Sequence, residues 1–221
     1  MSGFARRLLG TTIVTAALAA AIAVYIAVFL TASPPSAGAV QTASGPHLYL
    51  GSVASAELSD QHPTWVSFYA VNATSTRWTH ATTYVLPAHT LVHVTIYQFD
   101  SQTGLRNPLY GHATGMIPGT YTVDGKRVQG IDPTTAAHIF AVPQIGLTVP
   151  LEGISANAKN PCSNAPCGLS TAHHTMSFVF RTPGKGLYRW QCFVPCAAGF
   201  IQGNGGPMQT IGYMGGFLKI V

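Results

Sequence analysis

The sequence predicts an all-β domain, a sandwich or barrel of short strands, preceded by one membrane-spanning helix. Three observations carry this. An apolar run without charge fills Leu8 to Leu30 near the start of the chain. Beyond it, short apolar runs alternate with turn signals, and no later stretch shows a helical period. Only 8% of the 221 residues are charged, where an ordinary soluble domain carries about 25%.

The helix comes first in the chain. Residues 8–30 number 23, and at about 1.5 Å rise per residue such a helix crosses the roughly 30 Å hydrocarbon core of a bilayer. Arg6 and Arg7 precede it and no Lys or Arg follows until Arg77. The positive-inside rule therefore puts residues 1–7 in the cytoplasm and everything after the helix outside, as a single-pass protein of the cell membrane. The rival is a cleaved signal peptide, because Ala37-Gly38-Ala39 has the small-x-small form; the apolar region of such peptides runs only about 7–15 residues, which favours an anchor. Residues 31–46 (TASPPSAGAVQTASGP) are rich in Ser, Ala, Pro and Gly and read as a tether. Residues 47–221 remain, enough for one domain with its own core.

Within that domain, Leu91 to Phe99 alternates strictly. Leu91, His93, Thr95, Tyr97 and Phe99 fall on one face and Val92, Val94, Ile96 and Gln98 on the other, as in a sandwich interior. Thr175 to Phe180 (TMSFVF) alternates too. Pro183 to Gly186 offers a turn into Leu187–Cys192 (LYRWQC), so a hairpin is expected there. Gly216 to Val221 makes a closing strand. Many short strands without helices between them imply an antiparallel arrangement.

Composition excludes several function classes. Outside the anchor, nine basic residues face six acidic ones with no Lys/Arg cluster, which argues against nucleic acid as a partner. The acidic residues Glu57, Asp60, Asp100, Asp124, Asp132 and Glu152 are dispersed and give no adjacent carboxylate pair. No signature of a nucleophilic cysteine surrounds Cys192 or Cys196, so an independent enzyme is not indicated. Asn72-Ala-Thr74 matches the glycosylation sequon, a pattern frequent by chance.

Four segments, in order, resemble the cupredoxin family. VLPAHTLVHVTI from Val85 to Ile96 resembles its Pro-x-Gly strand entry, with His89 where glycine is usual. HIFAVPQIG from His138 to Gly146 resembles the segment that carries the first histidine ligand. Gly186 to Cys192 resembles its G-x-Y-x-x-x-C strand, and MGGFLKIV from Met214 to Val221 its M-x-G-x-x-x-V ending. The resemblance implies a Greek-key cupredoxin β-sandwich. The pair Cys192-x-x-x-Cys196 narrows it to subunit II of haem-copper oxidases such as cytochrome c oxidase, where two thiolates bridge two copper ions.

That resemblance implies copper as cofactor, with His138, Cys192, Cys196 and Met214 as ligands and the carbonyl of Val194 as a further donor. It implies integral-membrane oxidase or respiratory subunits as partners, with a soluble electron donor. The chain also departs from the family pattern C-x-x-x-C-x-x-x-H-x-x-M. Phe200 stands where the second histidine belongs, no histidine occurs after His174, and 18 positions separate Cys196 from Met214. The inserted residues include Gly203 to Met208.

Three readings of the cysteine pair stay open. In the first, a modified and even mononuclear copper centre uses His138, Cys192, Cys196 and Met214 or Met208, soft donors suited to Cu(I). In the second, the domain is a copper-free structural subunit in which Cys192 and Cys196 form a disulfide, as exported cysteines normally do. In the third, a copper chaperone or sensor uses Met176, Met208, Met214 and the pair His173-His174. Cys162 and Cys167 (CSNAPC), in a looped stretch, are read as a disulfide in every case.

Individual residues also have plain structural roles open to them. His138 can be a strand histidine bonded to a carbonyl, His93 a satisfied core group, His173 and His174 a polar turn, and Met214 a core plug. Tyr188 and Trp190 have the size that fills a sandwich core.

Overall fold

The computed structural model describes residues 3–30, 35–56, 65–196, 206–208 and 210–221. Two compact units divide the chain, Met1–Pro34 and Pro35–Val221. In the first, an α-helix spans Gly3–Tyr25 and continues as a π-helical turn over Ile26–Leu30. It is long and apolar enough to cross a membrane by length and composition.

The described residues of the second unit form fourteen strands. In chain order they are β1 Ser36–Gly38, β2 Val40–Thr42, β3 Gly45–Ala56, β4 Trp65–Val71, β5 Trp78–Thr79, β6 Thr83–Leu86 and β7 Leu91–Gln98. There follow β8 Tyr121–Val123, β9 Lys126–Val128, β10 Ala136–Val142, β11 Leu147–Glu152, β12 His174–Arg181, β13 Gly186–Gln191 and β14 Gly215–Ile220. One sheet has the order β1-β6-β14-β13-β10-β11; the other runs β5-β4-β3-β7-β12-β8-β9, with β2 beside β3. Strands distant in sequence lie side by side, as the Greek-key cupredoxin sandwich requires.

Alternation explains what each strand buries. On β7, Val92, Val94 and Ile96 point into the core between the sheets and are essentially inaccessible. Its opposite face ends in Tyr97 and Phe99, which pack with Val53, Tyr69 and Cys167 in a smaller second cluster. The disulfide Cys162–Cys167, with Cα atoms 5.8 Å apart, closes the loop over that cluster as expected. Trp190 of β13 lies at the centre of the main core. It stacks on Phe140 and Tyr84, meets Phe68 edge-on at 5.0 Å, and donates from Nε1 to the Thr82 carbonyl at 2.8 Å. Burying each such side chain contributes roughly 1.5–3 kcal/mol.

Close approach between β6 and β14 depends on Gly216, because a Cβ there would overlap the Thr82 carbonyl. His89 takes the left-handed backbone, φ +53°, at the position where the cupredoxin pattern has glycine.

Four expectations need correction. Ser177 and its neighbours on β12 pair with β7 and β8, whereas β13 pairs with β14 and β10 in the other sheet. The segment 183–186 is therefore a crossing between sheets and not a hairpin turn: period-2 alternation identifies a strand but not its partner. The arrangement is also mixed, since β1–β6, β6–β14 and β3–β7 are parallel. Part of the 31–46 tether is ordered, because Ser36–Gly38 extends one sheet and Val40–Thr42 the other, so backbone pairing outweighs a loop-like composition. His93 is only partly buried, on the outer face of β7 near His47, and is not a core group.

The sequon asparagine has a structural task. Asn72 Oδ1 accepts from the backbone N–H groups of Thr76 and Arg77 at 2.8 and 3.0 Å, which shapes the turn into β5.

Candidate metal centre

Three side chains distant in sequence meet where β10 and β13 run together. His138 is the third residue of β10, and its neighbour Ile139 donates its backbone N–H to Cys192 Sγ at 3.4 Å. Cys192 immediately follows β13, whose Gln191 pairs with Ala141 of β10. Cys196 lies one short turn further on, with its Sγ 3.6 Å from that of Cys192. A ring nitrogen of His138 and the two sulfurs all lie within 4.8 Å of one another, the one such His/Cys/Asp/Glu cluster among the described residues.

The two sulfurs are free thiols in this structure and not a bridge. This weighs against the disulfide of the copper-free reading, and it leaves Cys162–Cys167 as the bonded pair. The Val194 carbonyl lies 3.6 Å from Cys192 Sγ, the position the resemblance implies for a backbone donor.

Asp100, just beyond β7, completes the cluster. Its Oδ2 lies 3.0 Å from Nε2 of His138. The other ring nitrogen, Nδ1, is buried without a hydrogen-bond partner among the described residues. A buried polar atom left unpaired costs about 1–3 kcal/mol, and such an atom beside two sulfurs fits a soft metal ion as its missing partner. The donor set of one imidazole and two thiols is the chemistry that copper takes.

Electrostatics prepare the site. Burial disfavours the charged ring of His138, but the Asp100 hydrogen bond and the Cys192 thiolate override it and bring its pKa up to about 9. Burial likewise opposes ionisation of Cys192; hydrogen bonding from Cys196 and interaction with His138 nonetheless hold it well below the ordinary thiol range. Cys196 moves the other way, raised by that same hydrogen bond to Cys192 and by burial. For Asp100, burial is outweighed by His138 and by the N–H of Ser101, and its pKa is lowered.

Access is one-sided. Cys192 and His138 are buried, and a cleft of about 420 Å³ lined by Asp100, Ser101, Gln102, Thr103, Leu105, His138, Pro195 and Cys196 reaches the cluster from outside.

Met214 is fully buried, and its carbonyl accepts from the Cys192 N–H at 2.9 Å. Met208 is also buried, and Pro207 beside it accepts from the Met214 N–H at 3.0 Å. Backbone pairing therefore ties both methionines to the strand that bears the first thiol. Phe200 and residues 203–205 lie outside the described residues.

Of the other residues in the chaperone reading, His173 and His174 have partners of their own. Met176 is buried on β12. His173 packs its ring on Phe99 with Nδ1 2.8 Å from the Thr171 carbonyl, and His174 is paired with Asp124 at 2.6 Å. Sequence reasoning missed Asp100, which it set among dispersed carboxylates; 38 positions separate it from His138, and no local pattern links them.

No family model matches the chain, and no curated protein matches it. Solved structures that match include rusticyanin from Thiobacillus ferrooxidans, at 14% identity over 86% of this chain and 85% of that one, with a TM-score of 0.34. Reduced rusticyanin follows at 15% identity, 86% and 87% coverage and TM-score 0.30, and auracyanin B at 16%, 86% and 92%, and 0.29. Similarity at this level carries no argument about function, which rests on the chain's own residues. The unit Pro35–Val221 is a β-sandwich of the kind that the cupredoxin resemblance implies, and it brings one imidazole and two thiols to a single point.

Proposed function

We propose that the protein is a membrane-anchored electron-transfer subunit whose cupredoxin domain holds copper at His138, Cys192 and Cys196. The observation that carries this is the triad itself: a ring nitrogen of His138 and two sulfurs within 4.8 Å of one another, in a ring whose buried Nδ1 has no hydrogen-bond partner among the described residues. His138 offers imidazole, the two cysteines offer thiolates, and Met214 or Met208 supplies a further sulfur. Copper bound there supplies one-electron chemistry between Cu(I) and Cu(II).

The chain's own contribution is to hold the donors. Cys192 hangs from β13 and His138 from β10, strands fixed by the Trp190 core, so the donors need little rearrangement on a change of charge. Arg6 and Arg7 favour a cytoplasmic N-terminus and an outer-face domain. The similarity to subunit II of terminal oxidases supports association with an integral-membrane respiratory complex that takes electrons from a soluble donor.

The test is metal analysis with an optical spectrum on protein purified from its own membrane. Copper with a thiolate-to-copper absorption that disappears in Cys192→Ser supports the proposal. Protein free of copper, or a spectrum unchanged by that substitution, overturns it.

A further inference from the structure

We propose that Asp100 is the positioning residue of this centre: its carboxylate fixes the His138 ring with Nδ1 as the metal donor and adds negative charge to the ligand shell. The inference rests on the reading of the triad as a copper site, and goes beyond it by assigning a residue that touches no metal.

The geometry is built to hold the carboxylate still. Oδ2 meets Nε2 of His138 at 3.0 Å, and Oδ1 accepts the Ser101 N–H at 2.7 Å. The Asp100 carbonyl accepts from the Ile154 N–H at 3.0 Å and from Gln98 Nε2 at 3.3 Å. Gly153 permits this arrangement, because a Cβ there would overlap the Gln102 N–H and lie 2.7 Å from the Ser101 carbonyl carbon. The segment 100–102 can thus lie directly on the exit of β11 only while position 153 is glycine. The His138 side chain is 1% exposed and that of Asp100 18%, so the pair interacts with little solvent screening.

The chemistry follows from the pairing. A neutral imidazole carries one proton; a carboxylate at Nε2 keeps the proton there, and Nδ1 presents its lone pair to the two sulfurs. A charged acceptor also makes the ring a stronger donor, which favours Cu(II) over Cu(I). Asp100→Asn keeps the shape but removes the charge, and an amide can offer Nε2 either a carbonyl or an N–H, so its hold on the tautomer is lost.

The test uses the full chain in detergent, as wild type, Asp100→Asn and Gly153→Ala, the last displacing the carboxylate without changing any charge. Nitrogen-15 spectra of the neutral His138 ring in metal-free protein, followed up the pH scale until the ring has lost its charge, should show one tautomer, proton on Nε2, in wild type and a mixture in both variants. In copper-loaded protein, affinity should fall about 10–100-fold on loss of this hydrogen bond. The loss should be greater for Cu(II), each tenfold difference raising the one-electron potential by about 59 mV.

A single unchanged tautomer in Asp100→Asn overturns the assignment, as do unaltered affinity and potential. If wild type takes no copper, the proposed function fails, and the tautomer measurement still decides the role of Asp100. If Asp100→Asn does not fold, Gly153→Ala decides by the same readouts.

Discussion

Replacing Trp190 by alanine removes the side chain that joins the two sheets beneath the cysteine pair. Trp190 is fully buried, contacts the rings of Phe68, Tyr84 and Phe140, and donates to the Thr82 carbonyl. Truncations of this kind cost about 3–5 kcal/mol. Aromatic pairs of about 0.5–1.5 kcal/mol each and a hydrogen bond of about 1 kcal/mol are consistent with that range. The Thr82 carbonyl also accepts from Phe217 N–H at 2.9 Å, so no orphaned acceptor adds to the loss. For a domain of this size each kcal/mol moves Tm by roughly 2–4 °C, so a fall of about 6–20 °C is expected. Leu187→Ala, on the same strand but 61% exposed, should shift stability by about 0.5 kcal/mol or less. Calorimetry of both variants is the assay. A Trp190→Ala loss below about 1 kcal/mol, or one equal to that of Leu187→Ala, would refute the packing account.

Acid stability should depend on Asp124. Burial raises its pKa, but the Thr175 N–H at 2.8 Å and the His174 ring outweigh that and leave it lowered. A depressed carboxylate stabilises the fold above its ordinary value of about 4 and loses that contribution as pH falls through the folded value. Thermal unfolding should therefore show Asp124→Asn below wild type at pH 7, by under about 1 kcal/mol since the pair is partly exposed, with the gap closing towards pH 3; a constant gap would contradict this. Removing the Cys162–Cys167 bridge should cost roughly 2 kcal/mol for so short a loop, read by denaturant unfolding, and leave the metal centre intact. Thiol titration of denatured, metal-stripped protein should give two reactive groups, from Cys192 and Cys196; none would mean that they are bridged.

Much of the fold was legible because alternation is a local property. Leu91 to Phe99, Thr175 to Phe180, Leu187 to Cys192 and Gly216 to Val221 all read as strands and all form them. Partnership was not legible, since β12 leaves its sheet at Thr182, held by Thr90 and Pro87, and nothing in Pro183 to Gly186 announces a crossing. The triad was legible through ordered resemblance, with His138 and the two cysteines meeting as expected. Asp100 was not: its role arises from a loop packed on Gly153, a contact between residues more than 50 positions apart. Ser36 to Thr42 misled because small and polar residues satisfy a strand edge as well as a tether when a neighbour supplies the hydrogen bonds.

X-ray absorption at the copper edge, on protein loaded in its own membrane, tests the central claim most directly. The account predicts a first shell containing sulfur from both Cys192 and Cys196 together with one imidazole, with a sulfur contribution that drops in Cys196→Ser and an imidazole contribution that vanishes in His138→Ala. A shell of nitrogen and oxygen alone, or one indifferent to both substitutions, would contradict it.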